Sequence, residues 1–493
     1  MNLLSSDFSF VFTEMVVLGF IPMTFFNSVF LACFICSALS LQTSGQSCDP
    51  NDLLALKEFA GNLTGGSIIT AWSNESICCR WDGVICGDKS NVSASSRVTS
   101  LILPKRGLIG KISSSLARLD QLKRLDLSCN HLGYVLPLEL SNLKQLEFLD
   151  LSYNMLSGPV SKSVSGLISI RWLNISSNLF NGELLELGRF PDVAVFNLSN
   201  NSFTGQVCSQ ICSYAKRIRV LDLSMNRLVG SLEGLDNCSI SLQQLHLDYN
   251  SLSGYLPDSL YSMSSLERLS ISGNNFFGQL SKKLSKLSSL KSLIICGNHF
   301  SGRLPDVFGN LAQLELLCAH SNLFSGPLPS SLALCSKLRV LDLQNNSFSG
   351  PLDLNFTGMP NLFSLDLATN HFVGSLPTSL SDCKELQVLS LAKNEFSGRI
   401  PKSFANLRSL VFLSLSNNSF IDLSGALSVL QQCKNLTTLI LTKNLYREEI
   451  PRNVSGFESL TVLALGNCAL KGQIPDWLSG CRKLEVLDLS WNT

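Results

Sequence analysis

From about residue 98 onward, apolar residues fall at fixed offsets in a unit that reads L-x-x-L-x-L-S-x-N-x-L/F-S-G-x-I/L-P-x-x-L-x-x-L/C. In the stretch LRVLDLQNN, Leu341 and Leu343 alternate with Val340, Asp342 and Gln344. A period of two predicts a short strand with the leucines turned inward and the other set outward. The unit recurs every 24 residues, with single steps of 23, 25 and 26. An asparagine column marks it: Asn130, Asn154, Asn178, Asn201, Asn226, Asn250, Asn274, Asn298, Asn322, Asn346, Asn370, Asn394, Asn418, Asn444 and Asn492, with Arg106 and Cys468 standing in the same column. That makes sixteen full repeats and the start of a seventeenth.

The column asparagine is expected to turn into the core, where its amide satisfies backbone groups that the chain leaves unpaired as it exits the strand. Gly158, Gly254, Gly302, Gly326, Gly350, Gly374 and Gly398 follow at one offset, where the chain must bend. Leu/Ile-Pro pairs at 256–257, 304–305, 376–377, 400–401, 450–451 and 474–475 pin the next extended stretch. The unit matches the leucine-rich repeat, a strand plus a return segment, in which stacked units share one continuous core. The L-S-G-x-I-P style resembles the plant-specific subclass. That resemblance implies a second short strand per unit and an α/β solenoid coiled as a right-handed superhelix.

Length alone, at about 150 residues per domain, suggests three domains. The repeat replaces that expectation with one solenoid over 98–493, an N-terminal cap over 48–97 and a leader over 1–47. Leucine supplies 93 of the 493 residues, hydrophobic residues make up 45% and the net charge is +1, which excludes a disordered chain. Thirty-eight basic against 37 acidic residues leave no electrostatic footprint for nucleic acid. No charged residue lies between Glu14 and Asp49, and Phe20 to Leu41 is mostly apolar, the pattern of a secretory signal peptide. Ala38 and Ser40, or Thr43 and Gly45, are candidate cleavage positions. No Lys or Arg precedes the apolar run, which leaves open a start at Met15 or Met23, or retention as an anchor. The remainder reads as extracytoplasmic. Twelve N-x-S/T sequons agree with that: Asn62, Asn74, Asn91, Asn174, Asn197, Asn200, Asn237, Asn345, Asn355, Asn417, Asn435 and Asn453.

The first repeat needs a cover. DLLALKEFAG, Asp52 to Gly61, predicts a helix with Asp49 or Asn51 as N-cap. CCRWDGVIC follows at residues 78–86. Cys48, Cys78, Cys79 and Cys86 admit three disulfide pairings, or a zinc site that a secreted context and the lack of a nearby histidine disfavour. The segment resembles the cap of plant leucine-rich-repeat receptors, which implies Cys79–Cys86 and Cys48–Cys78. Cys335, Cys383, Cys433 and Cys481 each lie six residues before a strand leucine and are expected to be buried thiols in place of a core leucine. Cys208 and Cys212 are candidates for a local pair. Cys129, Cys296 and Cys318 are expected to be free.

No catalytic constellation or metal spacing appears, so the chain is read as neither an enzyme nor a metal or cofactor protein. His131, His299 and His371 follow the column asparagine directly; His246 and His320 lie elsewhere in the repeat. Asp126, Asp150, Asp222, Asp342, Asp366 and Asp488 recur at one strand position and are expected to form a solvated face. What remains is a long ribbon of outward strand residues suited to hydrogen-bonding an extended peptide or a protein.

Five stretches carry a closer resemblance: DLSMNRLVGSLEGLDNCS (222–239), KLRVLDLQNNSFSGPLDLNFTG (337–358), LSLAKNEFSGRIP (389–401), FLSLSNNSF (412–420) and CKNLTTLILTKN (433–444). Together with FIDLSGALSVLQQC, where the usual S-G-x-I-P is missing, they resemble plant phytosulfokine receptors of the type-2 form. The resemblance implies a short disulfated-tyrosine peptide as ligand, seated on inner-face strands of late repeats beside an inserted island. It also implies a co-receptor leucine-rich-repeat kinase of the somatic-embryogenesis type and a kinase segment. The matching inner-face positions are Ser390, Ser414, Ser416, Thr442, Asn467 and Asp488. The sequence ends at Thr493 inside a repeat, before the island, membrane span and kinase of that family, which leads us to expect an uncovered apolar end. A soluble defence protein of the polygalacturonase-inhibitor kind and a plain scaffold are the competing readings.

Overall fold

The computed structural model describes residues 48–68, 72, 77–87, 95–184, 190–207, 213–235 and 241–493. The leader, the sequons Asn74, Asn91 and Asn237, and Cys208 and Cys212 lie outside the described residues. Among the described residues each repeat contributes one short strand, of three residues in all but the first, to a ribbon of eighteen strands that the cap strand Val84–Cys86 begins. The hairpin pair Val84–Cys86 and Val98–Ile102 is antiparallel, and every later pairing is parallel. Register is strict, as in Leu341↔Leu365 and Leu365↔Leu389. The strand leucines are therefore superposed repeat on repeat, and one apolar core runs from Cys48 to Cys481.

Among the described residues short second strands form two further sheets, of six and nine strands, on the adjoining flank, the first edged by the antiparallel cap strand Leu63–Gly65. The glycine column bends the chain there in the left-handed region, with φ of +75° to +99° at the seven positions named above. Tyr134 holds that place in its own repeat at φ +69°. On the far side, single 3₁₀ turns such as Thr378–Asp382 and Lys402–Asn406 begin at Pro377 and Pro401, whose fixed φ sets the extended entry. The unit lacking S-G-x-I-P places a true α-helix there, Leu423–Leu430. Asp422, at φ +73°, caps it by accepting from the Gly425 amide, and Glu448 accepts from the Asp422 and Leu423 amides.

The asparagine column behaves as its spacing predicts. Asn394 accepts from the Phe372 amide at 3.0 Å and donates to the carbonyls of Leu367, Leu391 and Ala392 at 2.9 to 3.2 Å. One amide thus binds two repeats together. Cys468 reproduces half of this, its thiol lying 3.5 Å from Leu441 O and 3.4 Å from Gly466 O. Beneath the column, Phe276, Phe300, Phe324, Phe348, Phe372, Phe396 and Phe420 form an unbroken pile with ring centroids 5.9 to 6.4 Å apart and planes within 16°.

The cap is joined by Cys48–Cys78 and Cys79–Cys86, the pairing that family resemblance implied. Its helix runs Pro50–Gly61 with Asp49 as N-cap. Buried Asp52 accepts from Arg97 Nε at 3.1 Å and Nη2 at 3.0 Å and from the Val98 amide at 2.8 Å, which fastens the helix to the first parallel strand. Cys335, Cys383, Cys433 and Cys481 are buried free thiols, as their column required. Burial pushes Cys335 and Cys433 up to about 11 and Cys383 up to about 12, so they are inert. Cys296 and Cys318 are not free: they form a disulfide with Cα atoms 5.9 Å apart. Their 22-residue spacing falls two short of one repeat, which makes them diagonal neighbours on one face of adjacent strands.

Candidate ligand-binding face

The strand ribbon offers three outward columns. The first includes Arg124, Phe148, Trp172, Val195 and Val220, the second Asp126, Asp150, Asn174, Asn197 and Asp222, and the third Ser128, Ser152, Ser176, Ser199 and Ser224. The aspartates were expected to form a solvated face, and here the structure corrects the sequence. Asp126, Asp150, Asp342 and Asp366 are buried, between 0% and 7% exposed. Strands less than 5 Å apart leave each short side chain little open space between its in-register neighbours in the adjacent repeats. The residue two positions on points to the same side and closes over it. Asp150 accepts from the Ser152 amide at 3.0 Å and its hydroxyl at 2.6 Å, and from Asn174 Nδ2 at 3.0 Å. Burial raises the Asp150 carboxyl above its ordinary range although these bonds oppose it. Burial likewise pushes Asp342 up to about 7, and burial followed by the charge of Asp342 pushes Asp366 well up. Asp222 and Asp488 remain half-buried.

Ser390, Ser414, Ser416 and Thr442 fall on this ribbon at three neighbouring strands, with Ser390 and Ser414 paired in register. Ser390 and Ser414 are only 2% and 1% exposed, so each offers little more than a hydroxyl edge. Ser416 and Thr442 are half-buried in the third column. Asn467 stands exposed at the strand exit with φ +56°, and Asp488 lies on the last strand. Midway along the ribbon the Sγ atoms of Cys296 and Cys318 and a His320 ring nitrogen lie within 4.8 Å of one another, with both sulfurs engaged in the disulfide. Motif spacing did not reveal that cluster, because the three residues come from two columns of two repeats.

The sequons divide by the same geometry. Asn174 and Asn197 belong to the buried second column, and each amide oxygen accepts from the serine two residues on. Asn62 is half-buried, while Asn200, Asn345, Asn355, Asn417, Asn435 and Asn453 are exposed. Glycopeptide mapping of the protein expressed through a eukaryotic secretory pathway is expected to find sugar among those six and none at Asn174 or Asn197. Occupancy at either buried position in folded protein would contradict the packing described.

Models of the leucine rich repeat match residues 120–180 and 360–420, and singly 241–263, 265–287, 289–311, 337–359 and 459–481. The leucine rich repeat N-terminal domain matches residues 49–87. Phytosulfokine receptor 2 of Arabidopsis thaliana is 60% identical over 196 residues, 40% of this chain and 19% of that protein. The chain belongs to the plant leucine-rich-repeat receptor kinase family and is phytosulfokine-receptor-like. The matched stretch spans about a fifth of that relative's length. Among solved structures, PEPR1–AtPEP1 superposes with TM-score 0.67 at 25% identity, covering 88% of this chain and 71% of that one. The Arabidopsis receptor kinase HAESA, in complex with the peptide hormone IDA and the co-receptor SERK1, superposes with TM-score 0.55 at 26% identity, covering 90% of each. Among the described residues no helix of this receptor-like chain is long and apolar enough to cross a membrane.

Proposed function

We propose that the chain is the extracellular ligand-recognition region of a plant peptide-hormone receptor. Its ligand is a short sulfated peptide of the phytosulfokine class, laid over the late-repeat strands that carry Ser390, Ser414, Ser416, Thr442, Asn467 and Asp488. The observation that carries this reading is the 60% identity to a phytosulfokine receptor over 196 residues. An unbroken row of parallel strands presents one outward face on which an extended peptide can lie, with selectivity supplied by outward side chains. A co-receptor leucine-rich-repeat kinase of the somatic-embryogenesis type is the second partner, and growth signalling is the output of the full-length receptor through its kinase. The HAESA complex, which contains both a peptide hormone and a co-receptor, supports that arrangement.

Calorimetry with sulfated and unsulfated forms of the same pentapeptide tests the reading. The sulfated form is expected to bind at least tenfold more tightly, and the double substitution Ser416→Ala, Thr442→Ala to weaken it several-fold. Equal binding of the two forms, or binding of neither, removes the assignment.

A further inference from the structure

The middle of the ribbon carries a cluster that the late-repeat face does not use. Cys296 stands in the third outward column of its repeat, and Cys318 and His320 stand in the second and third columns of the next. The strand ladder holds all three in place. Ile295 N–H donates to Cys318 O at 2.8 Å and Gly297 N–H to His320 O at 3.0 Å, so Cys296 is bracketed by its two partners. Column amides pin the same backbone, with Asn298 Nδ2 donating to Cys296 O at 3.1 Å and Asn322 Nδ2 to His320 O at 3.2 Å. Both sulfurs and a His320 ring nitrogen therefore lie within 4.8 Å of one another. A disulfide needs only the sulfurs. The imidazole is an additional donor, and its Nδ1 lies 3.1 Å from Ser321 Oγ, a contact of the kind that orients a metal-bound histidine. Cys296 is buried, while Cys318 and His320 are half-buried and bring the cluster to solvent.

We propose that Cys296, Cys318 and His320 form a redox-gated site for a soft divalent metal ion of the zinc class. Closed as a disulfide, the pair has no thiolate to offer. A dithiol reductant of the thioredoxin class opens it. One reductant thiolate attacks the sulfur of Cys318, the more exposed of the two, and the Cys296 sulfur leaves as a thiolate. The second reductant thiol then displaces Cys318 from the mixed disulfide. The reductant departs as its own disulfide, and both protein sulfurs become thiols. The ion replaces the two thiol protons, which pass to solvent, and the neutral imidazole is its third donor. Zinc holds sulfur at about 2.3 Å and imidazole nitrogen at about 2.0 Å in a tetrahedron, which sets its donors roughly 3.5 to 3.8 Å apart. The Cα atoms of Cys296 and Cys318 are 5.9 Å apart, and side-chain rotation alone brings their sulfurs to that separation. Two thiolates neutralise the ion, and three protein donors leave its fourth position to a water or to a ligand group on the ribbon. The free thiols of Cys335, Cys383, Cys433, Cys468 and Cys481 are buried and stand apart from this cluster. The site does not rest on the reading proposed for the late-repeat face.

The test uses the chain expressed through a eukaryotic secretory pathway, untreated and after dithiothreitol that is then removed without air, with Zn²⁺ alone as the probe. Calorimetry is expected to show one more Zn²⁺ bound by the reduced parent than by the reduced double variant Cys296→Ser, Cys318→Ser, and no such ion on the untreated parent. With Co²⁺ as a spectroscopic substitute, the reduced parent is expected to gain thiolate charge-transfer absorption over that variant. His320→Ala keeps both thiols and is expected to bind Zn²⁺ more weakly by roughly tenfold or more. It alters one half-buried side chain, and peptide mapping of its Cys296–Cys318 bond before reduction shows that the strands keep their register. Equal zinc uptake by the reduced parent and the double serine variant overturns the proposal. So does His320→Ala binding as tightly as the parent, or equal uptake by the untreated and the reduced parent.

Discussion

Asn370→Ala is expected to destabilise the solenoid by about 3 to 5 kcal/mol, because buried groups left unpaired cost about 1 to 3 kcal/mol each. The Asn370 amide accepts from the Phe348 N–H at 2.9 Å and donates to Leu343 O at 3.1 Å, Leu367 O at 3.1 Å and Ala368 O at 3.3 Å. Alanine leaves that N–H and those carbonyls in a site only 5% exposed. The loss should also be local. Each repeat touches only its neighbours, so hydrogen exchange is expected to quicken in the repeats around Phe348 and Asn370 while distant repeats keep their protection. Urea unfolding followed by mass-resolved hydrogen exchange measures both effects. A cost below about 1 kcal/mol, or protection lost evenly along the chain, would show that the column amide is dispensable.

Phe348→Ala should cost a similar amount, about 3 to 5 kcal/mol for a large buried ring. Phe348 is wholly buried and stacks at 6.1 Å on Phe324 and 6.2 Å on Phe372, so alanine opens a cavity in the middle of the pile. The informative comparison is Phe348→Leu. Leu132, Leu156, Leu228 and Leu252 occupy this position in earlier repeats, so leucine fits the backbone without strain. It should cost about 1.5 kcal/mol or a little more, the price of lost volume plus two ring contacts. If leucine proves as damaging as alanine, the stacked rings contribute more than their volume. If both are mild, neighbouring repeats close the space and the pile is not a continuous support.

Much of this was legible in the sequence, for a physical reason. A repeat of fixed length forces every unit to meet its neighbour through the same positions, so a column in the sequence is a column in space. The inward leucines, the column asparagines and the four leucine-replacing cysteines could all be placed from offsets alone. The phenylalanine pile could be inferred too, since Phe276 to Phe420 recur at one offset, yet the pattern there reads only as leucine or phenylalanine. The helix Leu423–Leu430 shows the limit. Its unit departs from the pattern visibly, but the fact that the departure is a helix depends on Asp422 and on Glu448 from the next unit.

The candidate site was legible only in part, because ligand contact depends on how neighbouring side chains crowd one another. Alternation correctly sent Asp150, Asp342, Ser390 and Ser414 to the outward face of their strands. It could not say that outward means buried, since that follows from closely spaced strands and from partners such as Ser152 and Asn174 closing over the carboxylate. The Cys296–Cys318 bond likewise arises from diagonal neighbours on different repeats. The sequence by itself determined the solenoid, its core and the direction of each side chain, because period and repeat length are one-dimensional quantities. The tertiary structure decided which outward groups water and ligand can reach, because that depends on the sizes of residues 24 positions away on either side and on the distance between strands.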